Sequence, residues 1–379
     1  MHPPSSVVAA PRHWVLPFAA SLSEPCQHAL PHLNKDGQLP NLRRLLGTLG
    51  VSQRLEGDEY ALSMPHERVL AAEMGWLGAA DPADADGLLP WAAWWAAQDG
   101  LTLDPALCWG LLSPGHWLMG RDHLTLLDPA TLGLSDDESR ALLEIVRPLF
   151  EEDGWTLQWG AAQRWYAAHP SLDGLPTASL DRVIGRNPDL WLTDHPQARM
   201  VRRLQSEVQM LLYTHPHNEA REAAGLATVN SFWLSGCGRP PASTALPASV
   251  HCVNELRAPL LADDMPLWLE AWQHVDATVL KDVCTALDAG EAVKLTLCGD
   301  RHAVTLTPAA ASRTPSIRRW SNPCDDASIA AWLTPATAAC ARARRRRHQR
   351  LEPQRARRQR QRHRARLFRH QQHRCPARR

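Results

Sequence analysis

The 379 residues are 44% hydrophobic, enough for at least one sizeable core, and their formal net charge of +1 hides an uneven split. Residues 341–379 hold 17 Arg, one Glu and no Lys, so residues 1–340, with 24 basic and 39 acidic residues, carry about −15. An acidic body repels nucleic acid and anionic membranes, and no apolar run approaches the ~20 residues that span a bilayer, which excludes both classes for the body of the chain.

In chain order, residues 1–11 read as disordered. The segment from His13 to Ser21 (HWVLPFAAS) reads as a short buried strand. A signal-peptide core over Trp14–Leu22 is the competing reading, opposed by Pro17 and by the single preceding Arg12. Leu39–Leu49 has Leu at helical spacing, Pro40 in its first turn and Gly50 as its stop. A second helix covers Pro65–Met74, and an Asp/Ala linker leads to a Trp-rich helix at Leu88–Gln98 whose Trp91, Trp94 and Trp95 read as core.

Strands follow at Ala106–Leu112, His116–Met119 and His123–Leu127. Ser135 and Glu138 form a capping box that opens an amphipathic helix to Glu152. Strands are expected at Thr156–Trp159 and Gln163–Ala168, and a long helix at Gln197–Tyr213. A short helix at Asn218–Ala224 precedes a strand, Ala227–Leu234, and the turn Ser235–Gly238. Beyond a Pro-rich loop lie a strand at Ser249–Val253, a helix over Asp264–Leu287 and a hairpin of Val293–Cys298 with Ala303–Leu306. Strands alternating with helices predict an α/β fold with a largely parallel sheet flanked by helices and a more antiparallel inserted lobe. Residues 12–104 and 196–333 make the core, 105–195 the lobe, and 334–379 a disordered Arg-rich tail. Two readings of the tail stand: a salt-dependent nucleic-acid arm, or translation of the wrong frame of a GC-rich gene.

Nine Cys lie far apart with no CxxC pair, the pattern of reduced cytoplasmic thiols rather than of a zinc or disulfide framework. There is no P-loop, no G-x-G-x-x-G, and no G-x-S-x-G elbow around Ser113, Ser231 or Ser235. His116, Asp122 and His123 fall near a strand turn but lack a further ligand.

Residues Glu207–Gly238 hold His215-Pro216-His217-Asn218, Arg221, Gly225-Leu226, Asn230 and Gly236-Cys237-Gly238 around an apolar strand. This stretch resembles cofactor-independent phosphoglycerate mutases of the alkaline phosphatase superfamily. The segments VLPFAAS, LPNLRRLL, LLSPGHWLMGRDHLTLLDP and Ser179–Arg186 resemble the RpfE-type regulatory proteins. Over residues 13–310 the resemblance implies an alkaline-phosphatase-like core, reduced or complete, in a cytoplasmic protein with a regulatory label. It also implies a divalent metal, Mn or Zn, if the chain is an active mutase or phosphohydrolase.

The residues argue against that chemistry. The first strand ends Phe18-Ala19-Ala20-Ser21 where the superfamily has a metal-binding Asp. The nearest counterpart of its late Asp-His pair is Asp300-Arg301-His302, a weak metal candidate because an Arg intervenes. Asp194-His195 reads as a capping turn before Pro196. The expected site is instead an anion pocket of His215, Asn218, Arg221, Asn230, Gly236 and Gly238, with Arg as a fork and the glycine N–H groups as a nest. The alternative for the same residues is helix capping by His215 and Asn218 and a backbone contact by Asn230. The expected function is a catalytically degenerate mutase-like protein that binds a small phosphorylated or carboxylated ligand or a protein partner, away from membranes. The alternatives are an active metal-dependent phosphomutase, or a nucleic-acid-associated protein using the tail.

Overall fold

A computed structural model describes residues 10–33, 37–77, 84–121 and 123–308, all within the unit Met1–Leu333. The tail, Asp122 and most of the N-terminal stretch read as disordered lie outside the described residues. The chain is α/β, as its alternating pattern predicts. One sheet is formed by β1 (Arg12–Ala20), β2 (Leu49–Leu55), β9 (Val250–Cys252), β10 (Val293–Gly299) and β11 (Ala303–Pro308), in the order β2-β11-β10-β1-β9. β1 runs parallel to β9 and β10; β11 pairs antiparallel with both β10 and β2, so four of the five strands share a direction.

β1 is buried from His13 to Ala20 because both faces of the sheet are covered, which is why its sequence is continuously apolar rather than alternating. On one face lie α1 (Glu24–Leu33), α2 (Pro40–Thr48) and the helical run α10 (Met265–Val275) to α11 (Lys281–Asp288), packed around Leu16, Leu42, Trp268, Trp272 and Val283. Trp268 and Trp272 are wholly buried. Burying a large apolar side chain is worth about 1.5–3 kcal/mol, so this face anchors the sheet. On the other face α3 (Pro65–Glu73) and α4 (Trp91–Gln98) pack Leu70, Ala71 and Trp91 against Val15 and Cys298.

The second sheet, in the order β6-β7-β3-β8, is wholly antiparallel: β3 (Trp109–Gly115), β6 (Thr156–Ala161), β7 (Arg164–Ala168) and β8 (Ser231–Gly238). Behind it lie α5 (Asp136–Glu151) and α7 (Ala198–Tyr213), whose Leu142, Val146, Leu204 and Val208 share a core with Phe232 and Leu234. A short hairpin, β4 (Trp117–Met119) with β5 (Leu124–Leu126), precedes α5. Two short helices complete the frame, α6 (Leu180–Val183) and α9 (Arg257–Leu261), along with α8 (Pro216–Ala223).

The structure differs from the sequence reading at several points. Gly50 does not stop a helix into a loop, because the chain passes directly into β2, whose pairing with β11 needs strand geometry there. The helix α1 has no clear sequence signal, since Pro31 lies inside it and masks the pattern. The antiparallel sheet takes β8 from beyond residue 195, where the sequence division ended the lobe. The capping box at Ser135 forms by half: its hydroxyl accepts from Glu138 N at 3.2 Å, while the Glu138 carboxylate is drawn to Arg221.

Candidate functional site

The residues expected to hold an anion instead hold their own backbone. His215 caps α8, its Nδ1 accepting from His217 N at 3.1 Å. Asn218 donates to the carbonyls of Leu212 and Val229, each at 2.8 Å, and accepts from Val229 N at 3.0 Å. Arg221 is buried, and its guanidinium is divided between Ala227 O, Leu132 O and the Glu138 carboxylate. Asn230 bonds both N and O of Trp117. These side chains brace the loop between α8 and β8. Arg221 already holds a carboxylate and two carbonyls, and the Asn218 amide nitrogen already holds two carbonyls.

The glycine nest does not form either, because Gly236 and Gly238 lie within β8 and not in a turn. Gly236 sits at a bulge with φ +62°, and a Cβ there would stand 2.8 Å from Ala92 N and 2.9 Å from the Trp91 side chain. The glycine allows α4 to approach the strand.

The mutase resemblance brings a divalent metal with it, and the residues present do not fit one. Asp300 Oδ2 accepts from Ser21 Oγ at 2.8 Å and Leu22 N at 3.0 Å and lies 3.4 Å from Arg186. His302 uses Nδ1 to accept from Gly57 N. Among the described residues no group of three or more His, Cys, Asp or Glu side chains is placed to hold a metal ion. His116 is bound to Thr228, and His195 caps the turn before α7, its Nδ1 accepting from Gln197 N.

What the fold does build is a cavity of about 340 Å³ between the two sheets, within the size range of ligand pockets. It lies beyond the carboxyl ends of β1 and β9, where open α/β sheets place their ligands. β1 gives it Phe18, and Cys252 and Asn254 come from the end of β9. The antiparallel sheet adds Leu111, Ser113, Ser235 and Gly236. Trp91, Trp94 and Trp95 of α4 form an apolar wall, Trp94 meeting each neighbour edge-on at 5.8 and 4.7 Å. Of the six residues expected to bind a ligand, only Gly236 is on this cavity.

Its polar end is assembled from short helices. Asp181 of α6 receives Arg257 Nε at 2.9 Å and the guanidinium NH2 of the same residue. The other arm of Arg257 reaches to 3.6 Å from Asp128, which itself caps a 3-10 turn at Ala130 N. His66, in the first turn of α3, places Nε2 3.9 Å from Asp181 and has no partner for Nδ1. Burial, opposed by Asp181 and reinforced by Arg257, lowers its pKa to about 4, so the imidazole is neutral near pH 7. Beside it Glu67 accepts from Ser179 Oγ at 2.7 Å and from Met64 N at 2.8 Å. Burial nonetheless raises its pKa to about 7. Ser113 is 1% exposed and its Oγ has no partner. Cys252 is no nucleophile, since burial pushes its thiol up to about 12.

Phe18 is 3% exposed and stands at φ +58°, where a non-glycine residue is strained by about 1–3 kcal/mol. The strain falls at the bulge that ends β1 and turns the ring to within 5.2 Å of His66. The sequence missed this cavity because His66 and Glu67 look like ordinary first-turn helix residues. The signal that was present is Ser179-Leu180-Asp181, part of one motif of the resemblance, and all three line the cavity.

The chain matches no family model and no curated protein. Among solved structures it is similar to the cofactor-independent phosphoglycerate mutase from Thermoplasma acidophilum, with 14% identity and a TM-score of 0.32 over 80% of this chain and 90% of that one. It is also similar to the PH0037 protein from Pyrococcus horikoshii, with 12% identity and a TM-score of 0.40 over 80% of this chain and 89% of that one. At those TM-scores neither likeness bears on what this chain binds. Among the described residues no helix is long and apolar enough to cross a membrane.

Proposed function

We propose that the chain is a mutase-like binding protein of the cytoplasm, regulatory rather than catalytic, that holds a small molecule in the cavity between its sheets. One observation carries the reading. His66, Asp128, Asp181 and Arg257, from four separate segments, converge with a tryptophan wall on one cavity. Packing interests alone do not gather carboxylates, a guanidinium and a partnerless imidazole around a void, because each buried polar group without a full set of partners costs about 1–3 kcal/mol.

Phosphoryl transfer finds little support in the same residues. The carboxylate at Asp300 is engaged by Ser21, Leu22 and Arg186, and the end of β1 presents a phenylalanine ring where a hard cation would need oxygen. The test is a thermal-shift screen of small metabolite-like compounds on the full chain, repeated on Gln163→Trp, which narrows the cavity at its wall. A compound that stabilises the native chain and loses its effect in the variant is the expected result. Phosphoglycerate mutase turnover that requires Mn²⁺ and stops with chelator would overturn the reading.

A further inference from the structure

We propose that the ligand of this cavity is a small organic cation, an alkyl- or arylalkyl-ammonium, held with its ammonium among Glu67, Asp128 and Asp181 and its apolar body against Trp91 and Trp94. This rests on the cavity being a binding site and names what it takes.

The argument begins with which charges are already spent. Arg164, on the cavity wall, is held by Asp99 through Nε at 2.9 Å and Nη2 at 2.5 Å, and its guanidinium lies 4.9 Å over the Trp95 ring. Arg257 is shared between Asp181 and Asp128. Both guanidiniums are therefore already paired with carboxylates. Among the described residues the Glu67 carboxyl is bonded to no cation, only to the Ser179 hydroxyl and the Met64 N–H. Asp181 adds to the burial that holds its carboxyl up, and Arg182, which opposes this from behind the wall, is bonded to the carbonyls of Ser63 and Asp300. The lining is therefore short of positive charge.

The unpartnered groups agree in kind. His66 is 8% exposed and neutral; with its Nε2 proton turned to Asp181, Nδ1 is a bare acceptor. Ser113 Oγ is a second unpartnered atom on the same cavity among the described residues. The carboxylates keep acceptor capacity beyond the bonds they already make, and with the imidazole lone pair and the hydroxyl they can take further N–H donors. A neutral polyol would satisfy the hydrogen bonds but bring no positive charge to a lining that carries three carboxyl groups. An ammonium satisfies both, and the π faces of tryptophan favour cations over neutral groups. At longer range, the charge of about −15 on residues 1–340 draws cations toward the body.

The experiment compares three ligands of one shape by isothermal titration on the full chain at pH 7.5: phenethylammonium, 2-phenylethanol and 3-phenylpropanoate. The ammonium should bind at least ~tenfold more tightly than the alcohol, and the carboxylate should not bind. Asp181→Asn and, as a variant that leaves the closer Arg257 pair intact, Asp128→Asn should each weaken the ammonium ~tenfold and leave the alcohol unchanged, with circular dichroism showing that both variants are folded. Tighter or equal binding of the alcohol or the carboxylate overturns the cation and leaves the cavity a site for another class. Silence from all three ligands overturns the cation as well, and with an empty compound screen it removes the binding reading too.

Discussion

The Ser179 hydroxyl donates to Glu67 Oε1 at 2.7 Å, and this bond joins the cap of α6 to the first turn of α3 across the cavity wall. Glu67 simultaneously receives Met64 N, closing the start of its own helix. The same carboxyl thus ties two elements together in a place where burial disfavours its charge.

A pH dependence follows. Burial raises the Glu67 pKa from 4.5 to about 7, so the folded chain favours the protonated form. The stability this contributes is complete below about 4.5 and is lost as pH rises through about 7. Glu67→Gln can accept from Met64 N through its carbonyl and donate to Ser179 Oγ through its amide, and it cannot ionise. Its melting temperature should match that of the native chain at pH 5 and exceed it at pH 8, by the equivalent of about 2 kcal/mol once the partial exposure of the residue is allowed for. Melting curves across that range decide it; equal differences at both pH values would show that Glu67 is ionised throughout.

Arg182 is 1% exposed and donates to Asp300 O at 2.7 Å and Ser63 O at 3.1 Å, with its guanidinium 5.5 Å from the Trp191 ring. It links the loop after β10, the loop before α3 and α6. Arg182→Met removes the donors and leaves two carbonyls without partners, at a cost of about 3 kcal/mol. Lysine, a point charge without a fork, should recover less than half of that. Urea unfolding, with the slope unchanged, is the measurement.

The anion reading and the bracing reading of the α8–β8 loop separate at Asn218. Its three hydrogen bonds all go to the backbone of Leu212 and Val229. Asn218→Ala should cost about 2–3 kcal/mol of stability and leave phosphate without effect on the melting of either protein. Stabilisation of the native chain by millimolar phosphate, abolished in the variant, would restore the anion site.

Long, strongly periodic segments were legible in the sequence: α5 and α7 fall within one residue of their expected starts, and β1 lies where its unbroken apolar run put it. β2 was not legible, because Val51-Ser52-Gln53-Arg54 is exposed at a sheet edge and its strand geometry comes from β11 rather than from its own pattern. The His215–Asn230 group does come together around the α8–β8 loop, where most of its polar atoms meet backbone groups. Residues that cap and brace a loop have the same polar, turn-forming character as residues that grip an anion, and only the positions of the carbonyls distinguish them. The cavity was illegible because its polar groups lie between Ser63 and Arg257 in the chain, on elements too short to show a period. No local spacing records a meeting of α3, α6 and α9.

Phe18 offers the sharpest separation of backbone from side chain. Its φ of +58° is adopted freely by glycine and strained for every L residue, while its ring is 3% exposed and packs near His66. Phe18→Ala loses the ring and keeps the strain, a loss of about 3–5 kcal/mol. Phe18→Gly loses the same ring but relieves the backbone, so it should be the more stable variant by about 1 kcal/mol, although glycine lowers stability at ordinary strand positions. Denaturant midpoints of the two variants give the answer directly. If alanine is the more stable, the bulge relaxes when the ring is removed, and the ring itself, packed against the cavity, imposes the strained turn at the end of β1.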